Sequence, residues 1–243
     1  MTGRYRRAIR IRAADGRSDA EIEDDFHHFA VSVFHDGVQV TDVEGRAVRY
    51  PWSKCPLAAG ALLGLRGLAI STDPTAVYRH VDPLAQCTHM LEIAGLAVTQ
   101  AARGPGERRW DVSVSDPVDG RVEAELVCDG ATAVRWTLRD GAIAEPDARR
   151  GQRPAEFRSS ALRDLPHEEA EALLILRRAI VLAGSRGWDV DRFPNAGAMG
   201  RGRACFVFSP GVAEHALRRY GSVRDFSTGP HPLTDLRASG DAP

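Results

Sequence analysis

Five Asp-Gly pairs punctuate this chain, at residues 15–16, 36–37, 119–120, 129–130 and 140–141, and they separate stretches in which apolar and polar residues alternate. Asp-Gly is a strong two-residue hairpin signal because both positions tolerate the positive φ that a turn matched to strand twist requires. Much of the chain is thereby committed to antiparallel strands joined by tight turns.

Alternation predicts strands over residues 8–13, over a long extended stretch of about 20–34, and over 38–43 beyond the Asp36-Gly37 hairpin. Inside the long stretch the apolar phase slips, since Ile22 and Phe26 are even and Phe29, Val31 and Val33 are odd. Such a slip predicts a bulge or a break near His27-His28, a feature that re-aims side chains. Residues 109–143 carry the period of two again, in Trp110/Val112/Val114, Val122/Ala124/Leu126/Cys128 and Val134/Trp136/Leu138, which predicts a β-meander.

Between these blocks the period becomes helical. Pro56 suits a first helical position, with a stripe of Leu57, Ala61, Leu62 and Leu65 ending near Gly67. Further helices are expected from Asp73-Pro74, from Asp82-Pro83 to about Arg103, and over 167–183, where early acids and late arginines suit the macrodipole. Residues 145–160 read as a linker or exposed loop, 195–202 as a Gly-rich loop, 205–208 as a short strand and 210–220 as a last helix; the end should fray after about Leu236. The expectation is one α+β domain over 1–243, antiparallel strands and a central meander packed on three or four helices, with two subdomains divided near 145–160 as the alternative.

With 43% hydrophobic and 27% charged residues the chain can bury a core, and its net charge of -1 with dispersed arginines offers no footprint for nucleic acid or an anionic membrane. No signal core or apolar run of spanning length is present, and Cys55, Cys87, Cys128 and Cys205 form no C-x-x-C pair, which fits free thiols in a cytoplasm. Self-association is left open. Dinucleotide, Walker, nucleophile-elbow and zincin motifs are missing as well.

Chemistry concentrates in two places. Asp24-Asp25-Phe26-His27-His28 sets acids and imidazoles at the phase slip, with Asp25 placed to orient His28 as a base. Cys55 and Cys87 each stand at the start of an expected helix, where bare N–H groups favour a thiolate or another anion. In one unbroken helix from residue 83, Cys87 and His89 would point roughly 200° apart. They can share a site only if the helix begins at Thr88 with Cys87 still extended. The candidate catalytic residues are therefore His28, His89, Asp25, Cys87 and Cys55, with Trp52, Glu92 and Arg49 as candidate substrate contacts. No cofactor is expected; zinc on Cys55, Cys87, His89 and His28 is the weaker alternative, lacking paired ligand spacing.

At these positions the chain resembles a bacterial family known as domain of unknown function 2889. The likeness rests on Asp25-x-x-His28, His35-Asp36-Gly37, Arg49-Tyr50-Pro51-Trp52-x-x-Cys55-Pro56-x-Ala58, Leu65-x-Gly67, Cys87-Thr88-His89-Met90-x-Glu92 and Gly221-Ser222-x-Arg224-Asp225-Phe226-Ser227. It spans most of the chain and thins between about 105 and 160. The resemblance implies that these positions matter and implies no particular reaction. The functional expectation from the residues is a cofactor-independent enzyme using Asp/His acid–base chemistry on a small organic substrate, aromatic or acyl, a lyase first and a hydrolase second. A non-catalytic small-molecule binding or accessory protein is the rival.

Overall fold

In the computed structural model, which describes residues 3–234, the hairpin signals become one antiparallel sheet of eight strands in the order β4-β3-β2-β1-β5-β6-β7-β8. The strands are β1 (Arg4–Ala14), β2 (Arg17–Asp24), β3 (His28–His35), β4 (Val40–Arg49), β5 (Gly106–Ser115), β6 (Arg121–Cys128), β7 (Ala131–Arg139) and β8 (Ala142–Glu145). The three central Asp-Gly turns hold both residues at positive φ, between 47° and 86°, the geometry for which that pair was chosen above.

Two main helices cover one face of this α+β sheet: α2 (Thr88–Arg103) lies over β1, β2 and β3, and α3 (His167–Ala183) over β5, β6 and β7. A one-turn helix, α1 (Val77–His80), precedes them. Alternation decides which side chains meet the helices. Tyr5, Arg7, Ile9 and Ile11 of β1, Ala20, Ile22 and Asp24 of β2, and Phe29, Val31 and Val33 of β3 are buried there. Their neighbours Arg10, Arg12, Asp19 and Glu21 form ion pairs on the opposite face. Glu171 of α3 accepts from Arg103 of α2 at 2.9 Å and Arg108 of β5 at 3.0 Å, tying both helices to the sheet.

Five sequence expectations change. The 20–34 stretch is a hairpin rather than one interrupted strand. Asp24 N donates to His27 O at 2.9 Å, and Glu23 pairs with His28, and Ile22 with Phe29, across the turn. Residues 55–65 form a 3-10 helix that buries Cys55, Ala58, Leu62 and Leu65, while Leu57 stays exposed. Residues 205–208 are not a strand and 210–220 not a helix; short 3-10 turns at Phe206–Phe208 and Ala213–His215 stand there. Nor is 145–160 a free linker, because Phe157 is buried with its ring 5.3 Å from that of Trp136. The expected fraying after Leu236 falls outside the described residues. No helix among them is long and apolar enough to cross a membrane.

Candidate functional site

In an antiparallel pair, residues directly opposite one another share a face. Ile22 opposes Phe29 on the helix-covered side, so the next inward pair, two residues closer to the turn, is Asp24 with His27; Glu23 and His28 point the other way. Asp24 also terminates β2. Its Oδ1 accepts the Phe26 and His27 backbone N–H groups, both at 2.8 Å, closing an Asx-type turn. The same Oδ1 accepts from His27 Nδ1 at 3.1 Å, and Oδ2 accepts from Tyr5 Oη at 2.8 Å. From outside, the Arg49 guanidinium clamps the turn, donating to the carbonyls of Asp24, Asp25 and His27 and to Ser222 O.

The start of α2 faces this turn. Cys87 is the N-cap, extended at φ -70°, ψ 115°, and the helix begins at Thr88, so Cys87 and His89 do share one site. The His89 ring lies 4.0 Å from that of His27 and 5.8 Å from that of Phe29. Its Nε2 is buried and finds no hydrogen-bond partner among the described residues. Deeper, Glu92 of α2 receives the fully buried Arg7 and, at 3.2 Å, Nε of Arg178 from α3.

His27, Phe29, Cys87, His89 and Arg178 line a cavity of about 350 Å³. Phe26, His27, Phe29, Trp52, Cys55, Cys87, Thr88 and His89 form one wall; the other is built by Arg178, Val181 and Leu182 of α3 with Met199, Arg201, Cys205, Phe206 and Phe208 from the segment 199–208. Burial dominates the electrostatics. It pushes the Cys87 thiol up to about 12 and raises those of Cys55 and Cys205, so the helix-terminus thiolates anticipated above do not form at neutral pH. Burial, then His27, Arg7 and Arg178, drive His89 well below the usual imidazole range against the pull of Asp24, leaving the ring neutral. Burial opposes ionisation of Asp24, yet the His27 imidazole hydrogen-bonded to it and the nearby Arg7 guanidinium hold it below the ordinary carboxylate range.

Of the residues singled out in the sequence, His89, Cys87, Cys55 and Trp52 meet in this cavity; His28, Asp25, Glu92 and Arg49 are not in its wall. The convergence of His28 with His89 does not occur, because strand alternation turns His28 to the opposite face, where Nε2 sits 2.6 Å from Glu21. Asp25 leaves the turn toward Arg186, which it shares with Asp116 and Asp225. Asp24 and His27 were within the cluster but passed over. Extending the even-numbered inward phase of Ala20 and Ile22 to Asp24, and the odd-numbered phase of Val31 and Phe29 back to His27, selects both. Arg178, Arg201 and Cys205 had no local signal.

Asp24, His27 and His89 each offer one donor atom within 4.8 Å of the others, a two-imidazole, one-carboxylate set of the kind divalent metals accept. The Asp24 carboxylate is largely engaged already: Oδ1 accepts from three protein donors and Oδ2 from Tyr5, so an ion would find only the second lone pair of Oδ2. The zinc set named from sequence is not assembled, since His28 is on the other side of the sheet.

Asp25 gives a pH prediction. Burial, with the nearby charges of Asp24 and Asp225, outweighs its contact with Arg186 and pushes it from 3.8 up to about 6. Between those values the folded chain holds a proton that the unfolded chain has released, so this group lowers stability as pH rises from about 4 to 6. Asp25→Asn cannot ionise and should gain roughly 2–3 kcal/mol on the parent across that window. Urea unfolding at pH 4 and pH 7 checks it, and His89 titration, common to both proteins, cancels. A stability difference independent of pH would refute the assignment.

Residues 7–103 match a family model whose description is "Protein of unknown function (DUF2889)". The matched stretch contains Asp24, His27, Cys55, Cys87 and His89, whereas the opposing wall and the 221–227 run lie beyond it. No curated protein matches the chain.

Proposed function

We propose that this chain is a cofactor-independent enzyme that performs Asp/His acid–base chemistry on a small organic substrate, acting as a lyase, with hydrolysis as the second reading. The observation that carries the proposal is His27 fixed by Asp24 beside the unpartnered Nε2 of His89, at a cavity large enough for a small ligand.

A carboxylate oxygen only accepts, so the His27 Nδ1 facing Asp24 must carry the proton, and its Nε2 then holds the free lone pair. His27 is accordingly the proton acceptor, and Asp24 stabilises the imidazolium formed when a substrate proton is taken. The neutral His89 ring stands against His27 in the cavity wall, and a turn of that ring brings its buried Nε2 to the substrate as a hydrogen-bond partner. Developing negative charge on oxygen is met by Arg178 and by the first-turn N–H groups of α2. Elimination and retro-aldol cleavage need only such a base, an acid and an anion hole. The close packing of His27, His89 and Phe29 also suits a pocket that only binds, and one substitution separates the two readings.

His89→Gln should leave the melting temperature close to that of the parent and reduce turnover by on the order of 10²-fold or more. Substrate consumption across a panel of small organic acids, followed by mass spectrometry beside thermal unfolding of the same preparation, measures both. Destabilisation with unchanged turnover per folded molecule would end the catalytic reading in favour of the binding one.

A further inference from the structure

We infer that the pocket takes an arene-bearing carboxylate, with the ring among Phe26, Trp52, Phe206 and Phe208 and the carboxylate held by Arg178 and Arg201. This names a substrate class for the site proposed above and rests on that pocket being the reaction centre.

The charge distribution supports an anion. Arg178 and Arg201 both line the cavity, and its wall contains no Asp or Glu. Two buried carboxylates, Asp24 and Glu92, stand behind that wall and are engaged, Asp24 with the turn, His27 and Tyr5, and Glu92 with Arg7 and Arg178 together. Arg178 reaches Glu92 through Nε at 3.2 Å, and no other carboxylate pairs with it among the described residues. Arg201 pairs with no carboxylate among them; its guanidinium lies 5.2 Å from the Trp188 ring centre. Two planar guanidiniums match the flat, bidentate geometry of a carboxylate.

The rest of the surface supports an aromatic body. Trp52 and Phe208 already meet edge to face, with centroids 6.3 Å apart and planes at 76°, the geometry in which aromatic rings pack, and both line the cavity. The cavity's 350 Å³ lies near the small end for organic ligands, enough for one ring and a short chain.

Isothermal titration of the full chain with 4-phenylbutyrate, its neutral amide and 4-phenylbutylamine tests the inference. The carboxylate should bind, the amide about tenfold or more weakly, and the amine not measurably. Arg201→Gln, at an exposed position, should weaken the carboxylate about 3- to 10-fold without changing the amide, and added salt should act in the same direction. Equal binding of acid and amide, insensitivity to Arg201→Gln, or no binding of any probe would overturn it. Because binding is read without turnover, His89→Gln should still bind 4-phenylbutyrate. Binding kept while His89→Gln leaves turnover intact would instead fault the catalytic reading.

Discussion

Asp24→Ala is expected to cost about 3–5 kcal/mol of stability, whereas Asp24→Asn is expected to fold and yet lose turnover by on the order of 10³-fold. The contrast comes from what each substitution leaves behind. Alanine strands four donors around a buried turn: two backbone N–H groups, the His27 ring and the Tyr5 hydroxyl. Asparagine keeps an oxygen where Oδ1 sits, so the turn closes and His27 retains its tautomer; Tyr5 needs only to accept from the amide instead of donating. What disappears is the negative charge facing the imidazolium formed during proton abstraction. In a site screened from water that charge has no replacement. Thermal unfolding and steady-state turnover of both variants check this. An Asp24→Asn protein that loses turnover only in step with its folded fraction would show that Asp24 shapes the turn and takes no part in the chemistry.

Glu92→Ala is the second large effect, an expected loss of about 3–5 kcal/mol. Glu92 is nearly buried and is the carboxylate against which Arg7, with no exposed side-chain surface, and Arg178 are held. Without it two guanidiniums repel one another between sheet and helices. Arg178 keeps a fifth of its side chain exposed and can turn outward, but Arg7 has no route to water. Arg7→Met combined with Glu92→Leu should therefore recover half or more of the loss, since it removes the buried charge with its partner. The native pair is itself incompletely satisfied, with Arg7 Nε and Nη1 and Glu92 Oε1 unpartnered among the described residues. Urea unfolding of the single and double variants gives the comparison. A Glu92→Ala loss under about 1 kcal/mol would place Arg7 in a wetter setting than its burial indicates.

The hairpins and the long helices were legible because their signals are local. Asp119-Gly120, Asp129-Gly130 and Asp140-Gly141 specify turns through two residues each, and the 167–183 helix carries its own acidic start and glycine stop. The candidate site was half legible. Its chemistry sits in the two clusters the residue types picked out, yet the choice of His28 over His27 turned on treating 20–34 as one strand. A four-residue turn from Asp24 to His27 reverses the chain there, and alternation then sends neighbouring residues to opposite faces.

By itself, then, the sequence determined the antiparallel meander, the strong helix, and the presence of Asp, His and Cys groups at the β2–β3 turn and the α2 start. Tertiary structure decided which of them meet. Arg178, Arg201 and Cys205 come to the cavity from positions about 90 or more residues beyond His89, carried by the packing of α3 and by loops whose conformation depends on the surface they cover. It also decided their charge states. A helix start favours an anion at Cys87, but burial raises the thiol to about 12, and the same desolvation keeps His89 neutral. Desolvation is a property of everything surrounding a group, and most of what surrounds these groups is distant in the chain.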